Sequence, residues 1–173
     1  MLFLHDDKSR KITSTQGCFP PSAGAAGGMG VYSGNNCANF VSQCFLEGGN
    51  AIMNTSGTWV WWYDNKGTTN PSDDTHSNSW SLAADQAYHL VRITDVSKHR
   101  GQYVSNASDL IIGDSIYYDW TNNGVINHTV IVVAVRNGVP FIAGNTADEF
   151  DVPWNKNAGR TRFLKVTDFY WIN

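Results

Sequence analysis

From position 37 onward the apolar residues Cys37, Phe40, Val41, Cys44 and Phe45 recur at the i, i+3, i+4, i+7, i+8 spacing of a helix with one buried side, while Asn39, Ser42, Gln43 and Glu47 fall between them. The spacing predicts an amphipathic helix whose polar side faces away from the core. Asn35 or Asn36 can cap its start, and Gly48-Gly49 can supply a left-handed residue to end it. A weaker stripe, Leu82, Ala83, Gln86, Ala87 and Leu90, predicts a second helix running from a cap at Ser79 or Ser81 to about Val91. After Gly113-Asp114 the period changes. Residues 115–118, 128–135, 139–143, 163–166 and 169–172 are β-branched or aromatic and are separated by turn residues, which predicts a mostly antiparallel sheet. Residues 130–135 are apolar on both faces, as a central strand covered on both sides requires. Helices first and strands later give an α+β domain.

Between these elements lie two stretches without a period. Residues 14–36 are rich in Ser, Gly, Ala, Pro and Asn, so residues 1–31 are expected to be a leader or linker and residues 32–173 a single folded domain. Trp59, Trp61 and Trp62 precede a polar segment with the composition of a long surface loop. A length of 173 residues with 42% apolar and 16% charged residues suits one core and not two. The formal charge of -3 comes with no basic stripe, so nucleic acid is not an expected partner. The longest apolar run, 130–135, falls far short of the roughly 20 residues of a membrane-spanning helix. The opening residues lack the charged leader and longer apolar stretch of a secretory signal, which leaves release by lysis, a dedicated secretion machine or a removed upstream segment open. Three cysteines form no disulfide framework by themselves and show no Cys-x-x-Cys spacing for zinc.

Cys37 falls in the first turn of the predicted helix, where unpaired N–H groups and the helix dipole favour a thiolate and lower the thiol pKa. The bland alternative is that its sulfur only fills the apolar stripe, a reading that fits Cys44 better. Of five histidines, His128 stands apart because it opens the most apolar strand of the chain. Asn137-Gly138 is a strong hairpin signal, and a two-residue turn makes facing positions sum to about 275, which places Val130 opposite Asn145 and His128 opposite Ala147. His128 and Asn145 then share a face as diagonal neighbours, so Asn145 can fix the imidazole tautomer. Helix-start Cys, strand-start His and an amide on the next strand is the order of papain-like catalysis.

The motifs around these residues are specific. Asn36-Cys37-Ala38-Asn39-Phe40-Val41-Ser42-Gln43-Cys44, with Gly48-Gly49 after it, resembles the Asp-Cys-x-Asn-Phe-Val-Ser-Gln signature of the bacterial putative amidase domain family, relatives of the NlpC-type and CHAP cell-wall hydrolases. The resemblance continues in order through Trp61-Trp62-Tyr63, Ser77-Asn78-Ser79-Trp80, Gly113-Asp114, Tyr118-Asp119-Trp120, Gly124, Asn127-His128 and Asn145-Thr146, roughly residues 32–154. It implies a papain-like fold with an N-terminal catalytic helix packed on an antiparallel sheet, with the nucleophile on Cys37 and the base on His128. Family members usually carry Asp where this chain has Asn36 and Asn127, and often His where it has Asn145. The implied substrate is an amide of peptidoglycan, and the implied setting is extracellular or in the cell wall, within a longer or multi-component system.

The expected mechanism is hydrolysis through a thioester, with the Cys37 N–H as oxyanion donor and Asn36 or Asn35 as the source of a second. Trp80 and Trp154, flanked by polar residues, and Ser79 beside them are the expected substrate-binding wall. No cofactor or resident metal is expected. Asp119-x-Thr121-x-Asn123-Gly124 has part of a calcium-loop skeleton, but it lacks the carboxylate at the twelfth place and reads as a hairpin turn. A toxin-type effector that cuts protein, and a non-catalytic wall-binding module, are the rival readings.

Overall fold

In the computed structural model the residues described are 36–49, 51–68, 70, 72–93, 100–146, 149–156 and 159–167. The expected leader 1–31, the cap at Asn35, Cys18 and the strand 169–172 lie outside them. Helix α1 (Cys37–Gln43) runs directly into a π-helical turn, Cys44–Gly48. Two short strands, β1 (Tyr63–Asp64) and β2 (Thr75–His76), pair around the polar loop, and α2 (Asn78–Ser81) and α3 (Ala83–Arg92) follow. The rest is one six-stranded sheet of β3 (Arg100–Val104), β4 (Ser115–Asp119), β5 (His128–Arg136), β6 (Val139–Gly144), β7 (Glu149–Pro153) and β8 (Arg160–Thr167). Its order is β3-β8-β4-β5-β6-β7, and every neighbouring pair is antiparallel. The architecture is α+β with β5 in the interior of the sheet.

Two cores lie on the two faces. Tyr117, Ile131, Val133, Ala143, Leu164 and Val166 pack with α1 and α3 on one face, and Ile116, Tyr118, Val130, Val132 and Ile142 pack with Leu110 on the other. The alternation follows the two-residue period of a strand, and β5 is buried on both sides from His128 to Val133.

Of the residues expected to face away from the core, Glu47 is exposed and Gln43 half-buried, but Asn39 and Ser42 do not face solvent. Asn39 and Ser42 are as buried as Phe40 and Val41, because α2 and α3 cover them. The Ser42 hydroxyl donates to the carbonyl of Trp80 at 2.8 Å and accepts the Trp61 indole N–H at 3.0 Å and a Gln86 amide N–H at 2.8 Å. The Trp80 indole N–H donates to Asn39 Oδ1 at 2.7 Å. These buried polar groups satisfy one another, which is what makes their burial tolerable. The predicted second helix is interrupted at Leu82, whose extended backbone (φ -111°, ψ 125°) separates α2 from α3, and the cap position is Ser77 instead of Ser79 or Ser81. Gly49 is right-handed (φ -101°) and not left-handed, because the widened π turn lets its N–H reach the carbonyls of Cys44 and Phe45.

Gln86 joins three elements. Its amide N–H groups donate to the Ala38 carbonyl and the Ser42 hydroxyl, and its Oε1 accepts the hydroxyl of the fully buried Tyr117 at 3.0 Å. Replacing it with Met keeps the volume but removes the acceptor of the Tyr117 hydroxyl, so Gln86→Met is expected to destabilise the fold by on the order of 3 kcal/mol, read as a lower urea midpoint with an unchanged slope.

Candidate active site

Cys37 is the first residue of α1 and 3% exposed. Three backbone N–H groups meet its thiol: those of Cys37 and Ala38, which the first helical turn leaves unpaired, and that of Thr129 in β5. The availability of Thr129 follows from the sheet. The Val132 N–H donates to Asp114 on the β4 side of β5, so by alternation the N–H groups of Ile131 and Thr129 point to the β6 side. The β5–β6 ladder stops at Ile131–Ala143, and Thr129 lies beyond it. The sulfur therefore sits at a notch where β5 begins and β6 has run out.

The acidified thiol expected of a helix start is not what the site produces. Burial pushes the Cys37 thiol above its ordinary value of 9.0, and the three N–H groups recover only part of that rise. Desolvation of the anion outweighs the helix start in a site this closed.

His128 opens β5, is 2% exposed, and pairs with Tyr118 across β4–β5. Its ring stacks on Trp120 at 4.1 Å between centroids and lies 5.9 Å from the Tyr118 ring. Burial lowers its pKa from 6.5 to about 4, and the charge of Glu149 works in the opposite direction. Thiol and imidazole are thus both neutral at pH 7. Cys37 belongs to the face of β5 that carries Ile131, and His128 to the face that carries Val130. The link between them is the backbone at the start of β5, where the thiol rests on the N–H of Thr129, the residue next to His128.

The expected hairpin register holds from Arg136–Val139 to Ala134–Phe141 and then shifts by one at a bulge around Val133, after which Val132 faces Ile142 and Ile131 faces Ala143. Val130 therefore lies against Gly144 and not against Asn145. A Cβ built on Gly144 would come within 2.8 Å of Val130 Cγ1 and 3.8 Å of His128 Nε2, so glycine is what leaves this place open. Asn145 is 8% exposed; its Oδ1 accepts the Thr146 N–H at 2.7 Å, and its Nδ2 is buried without a partner among the described residues. The expected hydrogen bond to His128 is not formed, because the bulge has moved the two off a shared face.

Of the remaining expected residues, Asn36 precedes α1 and its side-chain oxygen accepts the Asn39 amide at 2.8 Å, which ties it to the first turn of the helix. Trp80 is fully buried, wedged against Trp61 and Tyr63, and Ser79 is buried with its hydroxyl donating to the Val60 carbonyl. Trp80 supports α1 through Asn39 and Ser42, and both residues are too buried to offer a ligand a surface here. Trp154 is half-buried on the other face, edge-on to Phe163. The Asp119 carboxylate accepts the N–H groups of Asn123 and Gly124 and the Thr121 hydroxyl, which closes the β4–β5 turn as a hairpin-type connection. Two residues that sequence reasoning passes over stand beside His128. Trp120 ends the Tyr118-Asp119-Trp120 motif and is 39% exposed. Glu149 sits in a short strand with no readable period.

The domain is of the α+β class, with a helix-start thiol and a strand-start imidazole at one end of its antiparallel sheet, and the comparison with known families gives it a place. Residues 30–167 match the model of the putative amidase domain, and the chain belongs to that family, whose description suggests amide hydrolysis. The uncharacterized protein YhbB of Bacillus subtilis (strain 168) is 32% identical over 117 residues, 66% of this chain and 34% of that protein. The chain thus spans about a third of the length of this curated relative. No solved structure matches.

The buried imidazole makes stability depend on pH. Between pH 6.5 and about 4 the unfolded chain takes up a proton at His128 that the folded state refuses, so this contribution to stability is complete above 6.5 and is lost as pH falls through that window. Urea midpoints at pH 7, 5 and 4 should fall more steeply for the wild type than for His128→Gln. Gly144→Ala should force Val130 aside and lower the melting temperature, with a perturbed His128 imidazole resonance.

Proposed function

We propose that the protein is a cysteine amidohydrolase of papain-like design, related to the NlpC-type and CHAP hydrolases, that cuts an amide of peptidoglycan through a thioester. The observation that carries this reading is the Cys37 thiol held on the N–H of Thr129, one residue from the buried, neutral His128. In the proposed reaction the imidazole takes the thiol proton as the sulfur attacks the amide carbon. The protonated imidazole then gives that proton to the leaving amine, and a water deprotonated by the same ring hydrolyses the thioester. The N–H of Cys37 stabilises the oxyanion. Thr129 N–H, released by the end of the ladder, is suited to be the second donor.

Because both partners rest uncharged, proton transfer accompanies attack and no stored ion pair precedes it. Exposed Trp120, stacked on His128, offers an aromatic face beside the reacting groups against which a sugar ring can lie. The family description supports amide hydrolysis, and the motif resemblance to wall hydrolases is what points to peptidoglycan as the source of the amide.

Cys37→Ala and His128→Ala should each lower the release of fragments from purified cell walls by roughly 10²–10⁴-fold, and the double variant should be little worse than either, since the two groups act as a unit. Unchanged digestion by Cys37→Ala refutes the cysteine mechanism. Alkylation of Cys37 by iodoacetamide in the free protein should show an apparent pKa above 9.0.

A further inference from the structure

Glu149 is a carboxylate buried to 5% exposure in β7, an edge strand. Its place depends on a second bulge. Ile142 faces Val152, but Ala143 faces Phe150 and Gly144 faces Glu149, because Asp151 is looped out of the ladder with φ 57°. Without the extra residue, Phe150 would stand opposite Gly144 and Glu149 would turn to the other face. Phe150 is instead 44% exposed, and the acid points inward. A non-glycine residue at positive φ costs free energy, and here the Arg136–Asp151 ion pair at 2.7 Å holds it. The apolar side chain is turned out and the charged one in, the reverse of what burial alone favours.

Gly144 links the acid to the imidazole. Facing residues of an antiparallel pair project to the same side, so Glu149 and the missing Gly144 side chain share a face. The space where a Gly144 Cβ would stand is bounded by Val130 and by His128 Nε2 at 3.8 Å. Glu149 and His128 therefore flank the same gap, and the carboxylate's charge acts on the imidazole. Behind it, half-exposed Lys156 of the short turn after β7 pairs with Glu149 Oε1 at 3.3 Å, at the end of the sheet.

We propose that Glu149 is the positioning residue for His128, the anion that faces the imidazole across Gly144 and stabilises the imidazolium formed when it takes the Cys37 proton. This rests on the cysteine mechanism proposed above and assigns to Glu149 the orienting task that the sequence order gives to Asn145. Glu149 accepts no proton in the cycle; the proton passes from sulfur to imidazole and on to the leaving amine. Its contribution is charge, which matters most at the moment His128 becomes cationic in a dry site.

The test uses Glu149→Gln, which keeps shape and removes charge, with Lys156→Met as the second variant. His128 is followed by NMR titration of its imidazole in each free protein, and turnover is measured on purified cell walls. Glu149→Gln should make the imidazole titrate at lower pH than in the wild type and reduce kcat by about tenfold or more, part of what a positioned base supplies, with KM little changed. Lys156→Met should move the titration upward. Should Glu149 serve only as the structural partner of Lys156, the two variants would weaken folding alike and leave the His128 titration in place, which overturns the proposal. If Glu149→Gln does not fold, an unmoved titration in Lys156→Met overturns it equally. The titration needs no substrate, so wild-type protein that leaves walls intact counts against the proposed function, while the shift of the imidazole still decides whether Glu149 acts on His128.

Discussion

The site depends on where one β-ladder stops. β5 and β6 are paired from the Asn137-Gly138 turn inward, and a single extra residue at Val133 shifts their register before the ladder ends at Ile131–Ala143. Had pairing continued, the Thr129 N–H would be occupied by a β6 carbonyl and the start of α1 would meet a closed sheet. Ending it leaves one inward N–H for the Cys37 thiol and a glycine against His128. The same register decides which side chain of β6 crowds Val130. Only a residue without a Cβ fits there, and Gly144 is that residue.

A site built at such a notch is dry, and dryness sets its electrostatics. The helix start alone would favour a thiolate, yet the thiol is pushed up and the imidazole down, so the pair is neutral at rest. Three N–H groups lower the cost of a buried sulfur anion but do not replace the water removed from around it. Under the proposed mechanism, no reactive thiolate stays exposed to chance electrophiles. One would form only when an amide carbonyl takes the place of solvent and a nearby anion balances the imidazolium.

Much of this is legible in the chain because it is periodic. The α1 stripe, the central strand, the hairpin at Asn137-Gly138 and the order of Cys37 and His128 all rest on spacings of 3.6 or 2 that burial imposes. What escapes a sequence reading is aperiodic for physical reasons. β3 (Arg-Gly-Gln-Tyr-Val) and β7 (Glu-Phe-Asp-Val-Pro) are the edge strands of the sheet, and edges carry charge, Gly and Pro that erase the alternation. The bulges at Val133 and Asp151 involve residues that no turn motif marks, and each reverses the facing of everything beyond it. The hairpin arithmetic therefore puts Asn145 one residue off, and nothing periodic points to Glu149. Trp80 misleads for another reason: its polar neighbours in sequence suggest a surface, while its partners, Asn39 and Trp61, come from distant segments.

The same constraints explain how a short helix can hold the proposed nucleophile. Seven residues of α-helix have too few internal hydrogen bonds to be rigid alone, so α1 must be held from outside. Its apolar side is pressed on the sheet, and its polar side is tied through Ser42, Asn39 and the Ala38 carbonyl to Trp80, Trp61 and Gln86, with Gln86 reaching Tyr117 in β4. Those bonds are directional where apolar packing is not, so they set the rotation of α1 about its axis as well as its distance from the sheet. Rotation decides whether the first residue of the helix points at the notch or past it. The buried polar face is thus part of the aiming of Cys37, and its hydrogen-bonding residues stand in the motif run for the same reason that the cysteine does.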